Sequence, residues 1–583
     1  MSRSDLVENE FVSHDGVKLF YHAWPAPSGN AKGAIVLLHR GHEHGGRVAH
    51  LVHELGLEDY AFYAWDARGH GRSPGERGYS PSFAHSVRDL DCFVRHICET
   101  DGYGIERVAV VAQSVGGVLA AAWVHDYAPK IRALVLASPA FDVKLYVPLA
   151  KQGIALWQRL KGNFFVNSYV KARFLTHDPE RIISFEADPL ITRAIASNIL
   201  LELYETAARV VDDARAITVP TLVLISGSDF VVRHAPQHRF FENLGSTIKE
   251  RHVLPGFFHD TLGEKDRAIA VKKVREFIES RFSEAPLIAD LTRADLAGYT
   301  RDEADRLATP LSYTSLRGLY WALMRASIGL GSLFSRGLRT GVLTGFDSGS
   351  TLDYVYENQA RGFGPGGRLI DRLFLDAIGW RGIRERKVHL EELIGAALTR
   401  LKEAGKPVRL LDVAAGHGRY VLDAVKTSDV APESIRLQDF SPLNVEKGKS
   451  LIATRNLDAV ATFRKADAFD TEGLAAITPA PTLSIVSGFY ELFPDNTQIE
   501  ASLAGLARAM EPGSLLVYTG QPWHPQLEMI ARTLTSHRDG AAWVMRRRTQ
   551  QELDQLVEQA GFRKLDQRID KWGIFTVALA ERV

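Results

Sequence analysis

The sequence predicts an α/β protein of two domains, each built on a mainly parallel sheet. Three observations carry this expectation. Short β-branched apolar runs alternate with helical patterns through most of the chain, the rhythm of strand–helix–strand units. Two runs end abruptly in small-residue corners, Val108-Ala-Val-Val-Ala-Gln-Ser114-Val-Gly-Gly117 and Val408-Arg-Leu-Leu-Asp412-Val-Ala-Ala-Gly416-His-Gly418-Arg-Tyr420. And 583 residues are too many for one hydrophobic core.

In the first half, Lys18 to Trp24 alternates like an edge strand, and Ala34 to His39 reads as a buried one. Ala61 to Asp66, Val108 to Ala112, Ile131 to Ala137, Thr221 to Ser226 and Lys249 to Leu254 follow, mostly separated by helical patterns. At the Ser114 corner a strand runs into a helix. Gly116 and Gly117 lack Cβ, so the two elements can close tightly behind a serine held in strained geometry, the setting of a nucleophile elbow. Past Ala34–His39, the run Arg40-Gly-His-Glu-His-Gly-Gly46 lets backbone amides approach a ligand, as an oxyanion hole requires.

These pieces together resemble an α/β-hydrolase of the monoacylglycerol lipase and lysophospholipase type over residues 10–282. The matching tracts are His39-Arg-Gly-His-Glu-His-Gly-Gly-Arg47, Asp66-Ala-Arg-Gly-His-Gly-Arg-Ser73, the Ser114 corner, Ser226-Gly-Ser-Asp229-Phe-Val-Val, and Leu254-Pro-Gly-Phe-Phe-His259-Asp. The order Ser, Asp, His is that of the fold. The resemblance implies Ser114 as nucleophile, His259 as its base and Asp229 as the partner fixing the imidazole tautomer. The amides of Gly41 and Val115 would form the oxyanion hole. One departure stands out: Arg40 occupies a place usually held by glycine, and arginine is unsuited to a positive φ. Arg40 either spoils the hole or faces the entrance to attract an anionic head group. Between about 141 and 215 the strand rhythm stops, as expected of a cap. Its Trp157, Phe164, Phe165, Tyr169, Phe174 and Phe185 make either the cap's core or an acyl-chain tunnel.

Residues 283–345 are expected to be a connection. The part up to Pro310 is polar. From 316 to 345, Leu319, Tyr320, Leu323, Leu330 and Leu333 alternate with Arg317, Arg325, Arg336 and Arg339. Such a helix packs the two domains together or lies on an anionic membrane surface. The tract Gly362-Phe-Gly-Pro-Gly-Gly367 could cradle an anion but lacks the lysine and hydroxyl residue of a P-loop.

In the second half, residues 346–583 with a nucleotide-binding core from about 405, the Asp412–Gly418 corner is followed by acids ending successive strands. Asp439 closes Ile435-Arg-Leu-Gln-Asp, where ribose hydroxyls would lie, and Asp467 closes Ala461-Thr-Phe-Arg-Lys-Ala-Asp. This resembles a class I S-adenosylmethionine-dependent methyltransferase, whose last strand is antiparallel. Within that superfamily, Ser487-Gly-Phe-Tyr-Glu-Leu-Phe-Pro-Asp495 and Thr519-Gly-Gln-Pro-Trp-His-Pro-Gln526 resemble a bacterial methyltransferase group. The resemblance implies S-adenosyl-L-methionine as cofactor, held by Asp412, Gly416, Gly418, Asp439 and Asp467, with Gly416 and Gly418 at its methionine end, Asp439 at the ribose and Asp467 at the adenine. Tyr490, Glu491 and His524 are the candidates to face the methyl acceptor. The missing third glycine makes NAD a weaker match.

Composition narrows the partners. Lys plus Arg and Asp plus Glu both total 70, so no net field favours nucleic acid, and small-molecule or lipid substrates are expected. The two cysteines, Cys92 and Cys98, lie about 240° apart on one helix and cannot bridge. With no apolar leader near Met1, a cytoplasmic location is expected, peripheral to the membrane at most; no metal site is expected. The fusion reads as a bifunctional enzyme. Left open are a chain in which one half only binds or regulates, and acyl transfer to an acceptor other than water.

Overall fold

The computed structural model describes residues 6–27, 29–168, 170–538 and 540–583; Tyr169 and residues 1–5, read above, lie outside them. The chain divides into two compact units, Met1–Ala289 and Asp290–Val583. Residues 290–345, expected to be a connection, thus fold within the second unit.

The first unit holds the strands β1 (Val7–Val12), β2 (Lys18–Trp24), β3 (Ala34–Leu38), β4 (Ala61–Trp65), β5 (Val108–Gln113), β6 (Ala133–Ala137), the short pair β7 (Phe165–Asn167) and β8 (Ala194–Ala196), then β9 (Thr221–Ser226) and β10 (Lys249–Leu254). Its main sheet runs β1-β2-β4-β3-β5-β6-β9-β10. From β4 to β10 neighbours are parallel, while β1–β2 and β2–β4 are antiparallel. This is the α/β-hydrolase fold. Lys18–Trp24 is not the edge expected of it, because β1 pairs outside it. Only Phe11 of β1 is buried, so Val-Glu-Asn-Glu-Phe-Val carries no apolar alternation by which to see it. The central strands are buried on both faces, as β-branched runs between two helical layers must be. The insertion after β6 forms the helices Ala150–Lys161, Pro179–Ala187 and Ser197–Asp212 with the β7–β8 pair. Cys92 and Cys98 both lie on the helix Phe83–Asp101, and neither is in a disulfide.

The second unit adds β11 (Arg409–Val413), β12 (Ser434–Asp439), β13 (Ala461–Lys465), β14 (Leu483–Val486), β15 (Leu515–Gly520), β16 (Phe562–Ile569) and β17 (Thr576–Arg582). Its sheet runs β13-β12-β11-β14-β15-β17-β16, with β17 antiparallel to both neighbours and the other pairs parallel. Helices between residues 299 and 403 precede it. The glycine-rich tract at 362–367 opens the helix Gly364–Leu375. The helix Leu316–Gly331 belongs to this unit: Arg317 pairs with Glu528 at 2.6 Å, and Arg325 donates to the Arg532 carbonyl at 2.6 Å. Two of the four arginines expected to face a membrane are therefore used internally. Leu319, Leu323 and Leu330 on the same helix are exposed. Among the described residues no helix is long and apolar enough to cross a membrane.

In the turn between β16 and β17, the fully buried Asp570 takes the amides of Trp572, Ile574 and Phe575. Burial outweighs these bonds and raises its pKa from 3.8 to about 7. A carboxyl whose folded pKa is raised stabilises the fold while protonated. That contribution is whole below the unfolded value and is lost as pH climbs to about 7. Asp570→Asn is expected to flatten the fall in urea stability of the second unit between about pH 4 and 7; an unchanged slope would assign that fall to other groups.

Candidate functional site

The first site is built at the carboxyl end of the first sheet. Leaving β5, the chain reverses at Ser114, which takes φ 56° and ψ −118° before the helix Val115–Tyr127 begins. A Cβ on Gly116 would stand 2.5 Å from the His39 carbonyl, so only glycine allows the helix to seat against β3. His259, in the loop after β10, places Nε2 2.7 Å from Ser114 Oγ and Nδ1 2.8 Å from Asp229 Oδ2. Asp229 Oδ1 accepts from the amides of Val231 and Val232 at 2.7 and 3.0 Å. Burial would raise the Asp229 pKa, but His259 and these amides win and hold it below the usual carboxylate value. All three side chains are buried.

Gly41 follows β3 and lies against Val115: a Cβ on it would meet Val115 Cγ2 at 2.9 Å. Among the described residues neither amide has an acceptor. Arg40 does not have the positive φ that would have barred it, so its presence does not spoil the loop. Nor does it reach for an anionic head group at the entrance. Its guanidinium is buried, donating to Glu43 at 3.0 and 2.5 Å and standing 3.4 Å from Asp260. Asp260, next to His259, also takes Arg181 of the cap helix Pro179–Ala187 at 3.1 Å and Gln113 of β5 at 3.0 Å. These partners outweigh burial and hold the Asp260 carboxyl well below its ordinary value. The sequence did not reveal the roles of Asp260 and Arg181, whose partners lie far apart in the chain, nor that of Glu43, whose pairing with the nearby Arg40 shows only once both are buried.

Over Ser114 and His259 opens a cavity of about 520 Å³. Its walls are mainly aliphatic, from Val143, Leu145, Ile154, Leu175, Ile195 and Leu203 among others, with Asn167, Ser168 and Arg193 among the polar residues. Of the cap aromatics singled out above, Phe185 lines it and Trp157 is exposed; Tyr146, which was not singled out, lines it too.

In the second unit, β11 leads into a turn where Ala414, Gly416 and Gly418 take φ of 56°, 59° and 74°. Three left-handed positions in five residues fold the backbone into a cradle, and the alanine there is why the fingerprint looks incomplete. Asp412 is fully buried beneath it, one oxygen accepting from Tyr420 at 2.9 Å. Burial, with Asp439 nearby, pushes its pKa well up. Asp439 at the end of β12 takes the Gly416 amide at 2.9 Å, the Ser441 amide at 2.9 Å and Asn444 at 3.0 Å. Asp467 is exposed and takes the Phe469 amide. The cradle, Asp439 and Asp467 line one cavity of about 630 Å³, and Ser487 adds a buried hydroxyl with no partner among the described residues.

The three acceptor candidates part company. Tyr490 does not face a cavity: its ring lies in the core with its hydroxyl on Ser502 at 3.1 Å. The short helical turn Tyr490–Leu492 rotates Glu491 the other way, beside Arg386 at 3.8 Å. His524 is buried, and burial lowers its pKa to about 3. Nδ1 accepts the Gln526 amide at 3.0 Å, so the neutral ring carries its proton on Nε2 and is a donor there. Glu491 and His524 line a second, smaller cavity with Arg386 and Trp543, two residues that spacing did not mark.

A serine hydrogen-bonded to a histidine and an aspartate, in that chain order at the end of a parallel sheet, defines the first unit as an α/β-hydrolase of the serine-hydrolase type. The chain belongs to the family described as "Putative methyltransferase", which matches residues 274–582. Residues 29–266 match the family described as "Serine aminopeptidase, S33". An Escherichia coli K12 protein, "Uncharacterized protein YnbC", is 56% identical over 578 residues, 99% of this chain and 98% of the relative. The first half is similar to the monoacylglycerol lipase of Mycolicibacterium smegmatis, 27% identical over 282 residues, 48% of this chain and 99% of that protein. It is also similar to mouse monoglyceride lipase, 26% identical over 254 residues, 42% of this chain and 82% of that protein. These findings support an ester hydrolase joined to a methyltransferase-family domain.

Arg40 supplies a direct test of the buried charges. Arg40→Met strips Glu43 and Asp260 of their shared cation. It is expected to cost the first unit about 3–5 kcal/mol in urea unfolding, and a loss under 1 kcal/mol would deny the cluster its structural weight.

Proposed function

We propose that the protein is a two-site enzyme: a serine hydrolase of carboxylic esters with an apolar acyl part, and an S-adenosylmethionine-dependent methyltransferase. The observation that carries the first half is the unbroken chain Ser114 Oγ, His259, Asp229 at 2.7 and 2.8 Å beneath the aliphatic cavity. Ser114 attacks the ester carbonyl while His259 Nε2 takes its proton and then returns it to the leaving alcohol. Asp229 holds Nδ1–H and steadies the imidazolium. The Gly41 and Val115 amides are placed to take the developing oxyanion, each such donor being worth about 3 kcal/mol of barrier. One matching family is named for a peptidase and the relatives for lipases. The aliphatic walls favour the acyl reading, since they offer few partners for a peptide's amides. Acylglycerols or lysophospholipid-like esters are the proposed class.

For the second half, the cradle, the buried acid at the end of β12 and the Ser487 hydroxyl, which has no partner among the described residues, fit S-adenosylmethionine. Gly416 and Gly418 would meet its methionine end, Asp439 its ribose and Asp467 its adenine. When bound it supplies an activated methyl group. The protein's share is to hold the acceptor in line with that group and exclude water.

Ser114→Ala is expected to lower hydrolysis of medium-chain monoacylglycerol by at least about 10³-fold and to abolish fluorophosphonate labelling; retained labelling would remove Ser114 from the mechanism. Calorimetry is expected to give micromolar S-adenosylmethionine binding to the intact chain, weakened at least about tenfold in Asp439→Ala. An absence of heat with wild type would overturn the methyltransferase reading.

A further inference from the structure

The second unit's smaller cavity, about 80 Å³, shares Asp347, Leu352, Arg386, Gly488 and Leu492 with the 630 Å³ cavity, so the two adjoin. It differs in character. Trp380 and Trp543 stack at 6.4 Å and 24°, and Phe575, Met529 and Met545 complete an apolar wall. Around the cavity, two buried polar groups keep an atom with no partner among the described residues, and His524 presents a third polar atom. Glu491, only 9% exposed, gives one oxygen to Thr519 at 2.8 Å and leaves Oε2 without one. Trp543 Nε1–H is likewise unmatched. His524 spends Nδ1 on the Gln526 amide and presents Nε2–H. Gly379 makes room for that atom: a Cβ there would stand 2.9 Å from His524 Nε2. Each buried polar atom left unmatched costs about 1–3 kcal/mol, so the cavity holds the imprint of a polar group it lacks.

The imprint has a definite composition, one acceptor and two donors. A hydroxyl offers one O–H and two lone pairs, the complementary set. An ammonium group offers only donors, would leave both N–H groups unmatched, and would sit near the Arg386 guanidinium. A carboxylate offers only acceptors and would face Glu491. We propose that this cavity receives the hydroxyl end of a neutral, apolar-bodied methyl acceptor, an alcohol or phenol, which donates to Glu491 Oε2 and accepts from His524 Nε2–H and Trp543 Nε1–H. Glu491 Oε2 is then the atom placed to hold the hydroxyl proton. The assignment rests on the reading of the larger cavity as the S-adenosylmethionine site.

The test uses the full chain saturated with S-adenosylhomocysteine and titrated calorimetrically with benzyl alcohol, benzylamine and benzoate. Benzyl alcohol is expected to bind at least about tenfold more tightly than either charged analogue. Glu491→Gln and His524→Phe should each weaken it at least about tenfold with S-adenosylhomocysteine affinity unchanged, which also reports that the variants fold. Gly379→Ala, which crowds His524 Nε2, should act in the same direction. No alcohol binding, equal binding of the three probes, or alcohol affinity indifferent to both polar variants would overturn the proposal. Failure of S-adenosylhomocysteine itself to bind would strike the methyltransferase reading beneath it, a separate result.

Discussion

The hydrolase half depends on a cluster of buried charges. Arg40, Glu43, Asp260 and Arg181 meet within 2.5–3.4 Å, and they come from three parts of the first unit. Arg40 and Glu43 belong to the loop carrying the Gly41 amide, Asp260 to the loop carrying His259, and Arg181 to the cap. Charges taken out of water must be neutralised by partners fixed in place. That requirement ties the Gly41 loop, the His259 loop and the cap into one geometry. A residue that looked like damage to the oxyanion loop is part of what holds it in position.

The same loops are stapled a second time by Asp66, whose carboxylate takes the amides of Gly45 and Arg72 at 2.6 and 2.7 Å. The two histidine-rich tracts that stood out in the sequence are thus two sides of one support, and their histidines have structural duties. His39 joins the Arg40 carbonyl to the Ala67 amide, and burial lowers its pKa to about 4. A neutral ring can bridge a carbonyl and an amide where an imidazolium could not.

The second unit divides its labour differently. A cavity of mixed lining sits at the ends of the parallel strands, where the backbone turns through left-handed positions, and a more apolar one adjoins it. Arg386 lines both. Its guanidinium stands over Phe575 at 5.2 Å and near Glu491, so one side chain couples the strand ends to the aromatic wall.

Periodicity and chain order made both sheets legible, along with the Ser114 corner and the order Ser, Asp, His, because strand and turn preferences act over a few residues. The β1 strand escaped, its single buried residue leaving no pattern. Arg40 and Tyr490 were assigned by position in a motif, and their side chains then went elsewhere, Arg40 inward to Asp260 and Tyr490 into the core, whereas His524 lines a cavity as a donor. Direction and protonation are set by what packs against a residue, and those neighbours lie up to hundreds of positions away. The sequence by itself determined the two α/β units and the identity of the hydrolytic trio. Only the tertiary structure decided which charges neutralise which, what lines each cavity and which polar atoms are left for a ligand, since burial and pairing are properties of contacts that local sequence does not encode.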